Sequence, residues 1–203
     1  MRKFYFAASI LLFSASALAQ SEHEVGSLTI QPKAGLNVAT FVGSADKTEP
    51  RLGLAVGAEF EYQFTERFSL SAGALYSMQG DTEKTTEQGI QATAVVKTDY
   101  INIPVMANVY VAKGLALKFG LQPSFSASAT YKMTVQGMSI SGNLSDIGLD
   151  IHPFDFSVPV GISYEVNRFV VEGRYNMGIT KISDVDASKN SVFQFTLGYT
   201  FSL

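Results

Sequence analysis

The last thirteen residues, Ser191-Val-Phe-Gln-Phe-Thr-Leu-Gly-Tyr-Thr-Phe-Ser-Leu203, alternate without a break. Phe193, Phe195, Leu197, Tyr199, Phe201 and Leu203 share one parity; Val192, Gln194, Thr196, Gly198, Thr200 and Ser202 share the other. A period of two is the period of a β-strand. A long terminal strand with one aromatic face suits few folds, and a barrel in lipid is foremost among them, because lipid tolerates no unpaired strand edge.

The N-terminus points to export. Arg2 and Lys3 precede the apolar run Phe4 to Leu18, and Ala17-Leu18-Ala19 has the small-x-small form of a signal-peptidase site. Residues 1–19 read as a signal peptide and 20–203 as the mature domain. There is no cysteine, so neither a lipid-modified N-terminus nor a disulfide is available. Without Arg2 and Lys3 the 15 basic residues fall to 13 against 18 acidic ones, a mature net charge of −5. That balance excludes the basic footprint of a nucleic-acid binder. No later segment carries about twenty consecutive apolar residues, so membrane passage by a helix is also excluded.

Eight alternating segments run along the chain, at about Thr29–Phe41, Leu52–Phe64, Phe68–Gly80, Val95–Val111, Leu115–Tyr131, Phe154–Val166, Phe169–Ile182 and Val192–Leu203. Each exceeds the roughly 9–11 residues that a tilted strand needs to cross a bilayer. Their links alternate: Thr65-Glu66-Arg67, Ala112-Lys113-Gly114 and Asn167-Arg168 are short, whereas residues 42–51, 81–94, 132–153 and 183–191 form long ones. Short turns at one end and long loops at the other predict an all-β, antiparallel up-and-down transmembrane barrel of eight strands, with short periplasmic turns and longer extracellular loops.

Parity agrees with the turns. Apolar positions are even on both sides of Thr65-Glu66-Arg67 and odd on both sides of Ala112-Lys113-Gly114, which demands an odd turn in each case. They switch from even to odd across Asn167-Arg168, which demands an even one. The competing architecture is a soluble periplasmic barrel of lipocalin type, with the apolar face inward. The other face argues against it. Gly53, Ala55, Gly57, Ser69, Ser71, Gly73, Gly120, Ser124, Ser126 and Ser128 are small, as a crowded interior requires and a solvated exterior does not. Tyr62, Phe64, Phe68, Tyr164, Phe169, Tyr199 and Phe201 mark one interface belt; Tyr76, Phe125, Tyr131, Phe154 and Tyr175 mark the other.

Inward parity also selects the ionisable residues of the lumen: Lys33, Glu59, Glu61, Lys118, Glu165, Glu172 and Arg174. Isolated charge in a confined interior is costly, so these are expected to pair. The Asn167-Arg168 turn sets Ser163 opposite Glu172 and Gly161 opposite Arg174, leaving Arg174 room to reach Glu59 or Glu61. Such a network reads either as a gate in a substrate channel or, the favoured reading, as packing that fills a small barrel.

No catalytic or metal-binding constellation is present, and no cofactor motif. His23 lies in the tail and His152 in the longest loop, so no two histidines converge on a strand face. Asp46, Glu49, Asp81, Glu83, Glu87, Asp146, Asp150, Asp184 and Asp186 make the long loops acidic. Solvated loop charge is the plain reading; collection of divalent cations against lipopolysaccharide phosphates is the sharper one.

The run Tyr100-Ile-Asn-Ile-Pro-Val-Met-Ala-Asn-Val-Tyr-Val-Ala-Lys-Gly-Leu-Ala-Leu-Lys-Phe-Gly-Leu-Gln-Pro123, the Glu-Gly-Arg-Tyr of the seventh strand and the closing Leu-Gly-Tyr-Thr-Phe resemble the small outer-membrane β-barrel family typified by PorT, often labelled porin family. The resemblance implies an outer-membrane location and lipid as surroundings, with no shared catalytic residue. The end Gly198-Tyr-Thr-Phe201-Ser-Leu203 is similar to the signal read by the barrel-assembly machinery, with Gly198, Phe201 and Leu203 at its matching positions. Leu203 departs from the usual terminal aromatic. The expected role is structural, adhesive or accessory, with the long loops available to an extracellular ligand or envelope protein. A narrow porin or transporter is the alternative.

Overall fold

The computed structural model describes residues 24–43, 48–87, 90–183 and 188–203. The expected signal peptide, His23, Asp46, Asp184 and Asp186 lie outside them.

Eleven strand segments form one antiparallel sheet closed on itself. In chain order they are β1 (Leu28–Val42), β2 (Thr48–Thr65), β3 (Phe68–Glu87), β4 (Ile90–Asn102), β5 (Val105–Ala112), β6 (Leu115–Val135), β7 (Met138–Asn143), β8 (Phe154–Val166), β9 (Phe169–Gly178), β10 (Lys189–Tyr199) and β11 (Phe201–Ser202). The β4 and β5 segments make one stave and β10 and β11 another, while β7 stands outside the ring, so eight staves close it. The seam runs between β1 and the chain end, from Val42 opposite Lys189 to Thr29 opposite Ser202.

The fourth stave, expected as one strand over Val95–Val111, is broken at Ile103-Pro104. Proline has no N–H to give the ladder. The neighbouring strands take up the backbone groups at the break: Gly73 donates to Pro104 O at 3.1 Å, and the Ile103 N–H donates to Pro123 O at 2.9 Å. Two of the expected three-residue turns are two-residue tips beside a bulge, with Thr65 opposite Phe68 and Ala112 opposite Leu115. A bulge adds the residue that parity requires. Asn167 and Arg168 both take positive φ, 49° and 72°, as a two-residue hairpin tip demands.

The larger departure is above the rim. Residues 81–94 and 132–153 were expected as loops, yet β3 and β4 stay paired from Asp81–Val96 up to Glu87–Ile90. β6 continues alongside β4 and turns back through Gln136-Gly137 into β7. The upper parts of β2, β3, β4 and β6, with β7, thus form a sheet that rises out of the barrel. Tyr131, expected in the upper aromatic belt, lies in this sheet with its ring against Gly142. An irregularity in the β4–β6 ladder between Asp99 and Tyr100 shifts the parity of β6 above it. The strand expected to run to Ile182 ends at Gly178, and Thr200 interrupts the last stave.

The faces divide as parity requires. Leu36, Leu54, Val171 and Phe195 are 55–60% exposed, and they belong to a continuous outward apolar surface. Asn37, Glu59, Tyr100, Met106, Gln122 and Glu172 are buried inside. A soluble barrel would show the reverse. No described helix is long and apolar enough to cross a membrane; crossing falls to the strands. Ring pairs Tyr62–Phe64 (4.8 Å) and Phe169–Tyr199 (5.0 Å) mark the short-turn end, and Phe125–Phe154 (5.7 Å) and Tyr175–Phe193 (4.6 Å) the other.

Candidate functional site

Five of the seven inward charges meet at one level of the lumen. Lys33 of β1 lies opposite Gly57 of β2, which leaves space beside Glu59 two residues on. Lys118 of β6 lies opposite Gly161 of β8, and Gly161 in turn opposite Arg174 of β9. A glycine beside each long side chain is what lets it cross a barrel of this width.

The Lys33 ammonium bonds Glu59 Oε2 at 2.9 Å and Glu172 Oε2 at 3.0 Å. Lys118 bonds Glu172 Oε2 at 2.9 Å and approaches Glu59 Oε2 at 3.6 Å. Arg174 donates from Nε to Glu172 Oε1 at 2.6 Å and from Nη2 to Glu59 Oε1 at 2.8 Å; its Nη2 also pairs with Glu172 Oε1. All four carboxylate oxygens are therefore occupied, shared among three cations from three strands. The five side chains keep only 1–3% of their accessible surface. In a low-dielectric interior such a cluster holds only because every carboxylate is satisfied, and it holds the strands that supply it.

The other two expected members lie elsewhere. Glu61, two residues nearer the short-turn end, accepts from the Tyr110 and Ser69 hydroxyls, both at 2.5 Å. Glu165 is at the foot of β8, where its backbone N–H bonds Gly114 O at 2.8 Å. Both carry inward parity, but the strand tilt places them below the level at which the cations converge.

The rest of the lining around the cluster, amides and hydroxyls with the buried carboxylate of Asp155, was not singled out from sequence. Below it, Asn108 donates to Ser69 Oγ at 3.0 Å. Above it, Asn37 donates to Ser77 Oγ at 2.9 Å, Gln122 to Ser157 Oγ at 3.1 Å, and Asn190 to the buried Asp155 at 2.9 Å. The Tyr100 ring, fully buried, and Met106 fill the space beside them. The signal that could have found them is the repeated amide at inward parity on most staves. Among the described residues no group of three or more His, Cys, Asp or Glu side chains could hold a metal ion.

At the chain end, Phe201 lies opposite Ile30 and is 48% exposed, and Leu203 donates its N–H to Leu28 O at 3.0 Å. Gly198 sits opposite Lys33, where a Cβ would press on the Gln31 side chain at 2.9 Å.

The architecture is similar to that of solved outer-membrane proteins. Ail, the attachment invasion locus protein of Yersinia pestis, aligns with 88% of this chain and 100% of its own at 14% identity and a TM-score of 0.53. Neisserial surface protein A aligns over 86% and 97% at 11% identity and 0.49, and OprG from Pseudomonas aeruginosa over 88% and 97% at 13% and 0.44. Likeness at such identities is one of fold. No curated protein matches the chain. The family model described as outer membrane protein beta-barrel domain matches residues 18–184 without singling out PorT, and the chain belongs to that family of the bacterial outer membrane.

Proposed function

We propose that this barrel is a closed scaffold, with its working surface outside the cell rather than in its lumen. The observation that carries the reading is the occlusion of the middle of the lumen by Lys33, Glu59, Lys118, Glu172 and Arg174, each with 1–3% of its side chain accessible. A solute or ion would have to break several charge-assisted bonds at once to pass. The sheet formed by the upper parts of β2, β3, β4 and β6 with β7 then supplies the contact surface of a structural, adhesive or accessory envelope protein. Exposed apolar side chains at its tip, Met138 at 75% and Ile140 at 63%, suit contact with another molecule.

The discriminating experiment is reconstitution of purified protein in planar bilayers. A closed scaffold gives no stable conductance, whereas reproducible single-channel steps would overturn the reading in favour of a narrow pore.

A further inference from the structure

Ten of the twelve described cations sort into three places. Lys33, Lys118 and Arg174 fill the lumen. Arg67, Lys113 and Arg168 sit one in each short turn, between β2 and β3, β5 and β6, and β8 and β9. Lys84, Lys97 and Lys132 lie on the sheet that rises from the rim, and Lys189 lies at the top of β10.

The ladders fix which way this last group faces. Lys97 shares its side of β4 with Ile101, which is 44% exposed on the outward apolar surface. Lys132 lies opposite Val95 and Lys84 opposite Thr93, two positions on that same side of β4. Lys189 lies opposite Val42 and shares its side of β10 with Phe193 and Phe195. All four thus face outward: Lys84, Lys97 and Lys132 continue the lipid-facing surface upward on the neighbouring staves of β3, β4 and β6, past the ring of Tyr76, Ile101, Phe125 and Phe154, whereas Lys189 stands on β10, across the barrel from β4. Lys97 is four residues above Ile101, about 13 Å along a strand at roughly 3.3 Å per residue. A strand tilted about 40° makes that about 10 Å of height, the depth of a headgroup layer, and a lysine stem reaches several ångströms more.

Four carboxylates at this level are directed elsewhere or already engaged. Asp81 lies opposite Val96, on the lumen side, and is buried, as is Asp155. On the outward side, Asp99 accepts from the Tyr76 hydroxyl at 2.7 Å and Glu49 pairs with Lys84 at 2.6 Å. Among the described residues Lys97, Lys132 and Lys189 form no ion pair. On β4 and β6 the lipid-facing surface therefore ends in the unneutralised ammonium groups of Lys97 and Lys132, with Thr130, Thr134, Ser139 and Ser141 on the same side of β6 and β7.

We infer that the outward face carrying Lys97 and Lys132 docks the phosphorylated headgroups of lipid in the outer leaflet. The apolar surface directly below it is already a lipid interface, so the phosphates of the adjoining lipids lie within reach of the ammonium groups, and the hydroxyls beside them donate to the same oxygens. The inference is independent of whether the lumen conducts.

The test is native mass spectrometry of the purified protein in detergent, with diphosphoryl lipid A or the same lipid stripped of both phosphates. The parent is expected to retain the diphosphoryl form about tenfold more than the stripped form, since each ammonium adds its own attraction. The variant Lys84→Gln/Lys97→Gln/Lys132→Gln should lose that preference, while Arg67→Gln/Lys113→Gln/Arg168→Gln, altered only in the short turns, should keep it. If heating no longer shifts the gel mobility of the threefold variant, Lys97→Gln/Lys132→Gln, which breaks no ion pair, takes its place. Equal retention of the two lipids by the parent, undiminished preference in the lysine variants, or full competition by inorganic phosphate alone would overturn the inference.

Discussion

Arg174 and Glu59 are 115 residues apart along the chain and bonded across the lumen at 2.8 Å. Their contact joins β9 to β2, two staves that are not neighbours in the sheet, and so it constrains the cross-section of the barrel in a way that no ladder hydrogen bond can. Its disruption is the most direct probe of the interior.

Replacing Arg174 with Met leaves Glu59 and Glu172 facing two lysines with one partner gone. Breaking a buried ionic cluster from one side costs about 3–5 kcal/mol. The urea midpoint of Arg174→Met in matched detergent should fall accordingly, while Arg168→Met in the exposed turn stays near the parent. A midpoint equal to the parent's would remove the cluster from the account of stability.

The glycines offer a second test, because the two faces crowd differently. A Cβ on Gly57 would run into the Ala74 carbonyl and lie 2.6 Å from Leu75 Cα, whereas one on Gly173 meets only the Phe195 ring at 3.6 Å. Gly57→Ala should cost about 1–3 kcal/mol through backbone displacement. Gly173→Ala should be neutral or slightly stabilising, because alanine restricts the unfolded chain. Chemical denaturation of the two variants side by side decides it, and the reverse order would mean that the faces of β2 and β9 are misassigned.

Phe195 tests the membrane directly. It lies near the middle of β10 and points outward, so Phe195→Arg places a guanidinium in hydrocarbon at a cost of about 2–4 kcal/mol. Refolding yield into lipid vesicles should drop sharply, while Lys189→Arg at the rim leaves it unchanged. Similar yields for both variants would place Phe195 outside the apolar slab.

We propose that the last three residues serve assembly. Phe201 and Ser202 pair with Ile30 and Thr29, and Leu203 bonds Leu28, so they close the lower end of the seam. Deleting Phe201–Leu203 should leave export intact and reduce the amount inserted in the outer membrane, as read by fractionation and by the gel shift of unboiled samples. Normal insertion of the shortened chain would make the motif incidental.

The staves were legible because lipid on one side and a crowded lumen on the other impose opposite demands on successive residues. Where that contrast disappears, so does the signal. The segment Thr82-Glu-Lys-Thr85 is strand in the structure, yet both of its faces are polar, and polarity alone does not alternate. Pro104 announced a break in the fourth stave, but the apolar parity carries straight through it and masked the interruption. For the interior, parity selected seven charges and passed over Asp155, which is buried among the lumen amides. It could not say which would meet, because strand tilt decides what stands level with what, and that is how Glu61 and Glu165 came to be expected in the cluster and are found below it.

The extracellular part of this chain is built as sheet rather than as loop, and that restricts how its sequence can drift. A loop absorbs a single inserted residue locally. In β3 or β4 above the rim, one inserted residue would turn every side chain beyond it to the opposite face, bringing Lys97 over the lumen mouth and Asp81 toward lipid. Changes in length are therefore expected in even steps, or matched by an equal change on the paired strand, so that the height of this surface can vary among related chains while its inner and outer sides keep their character.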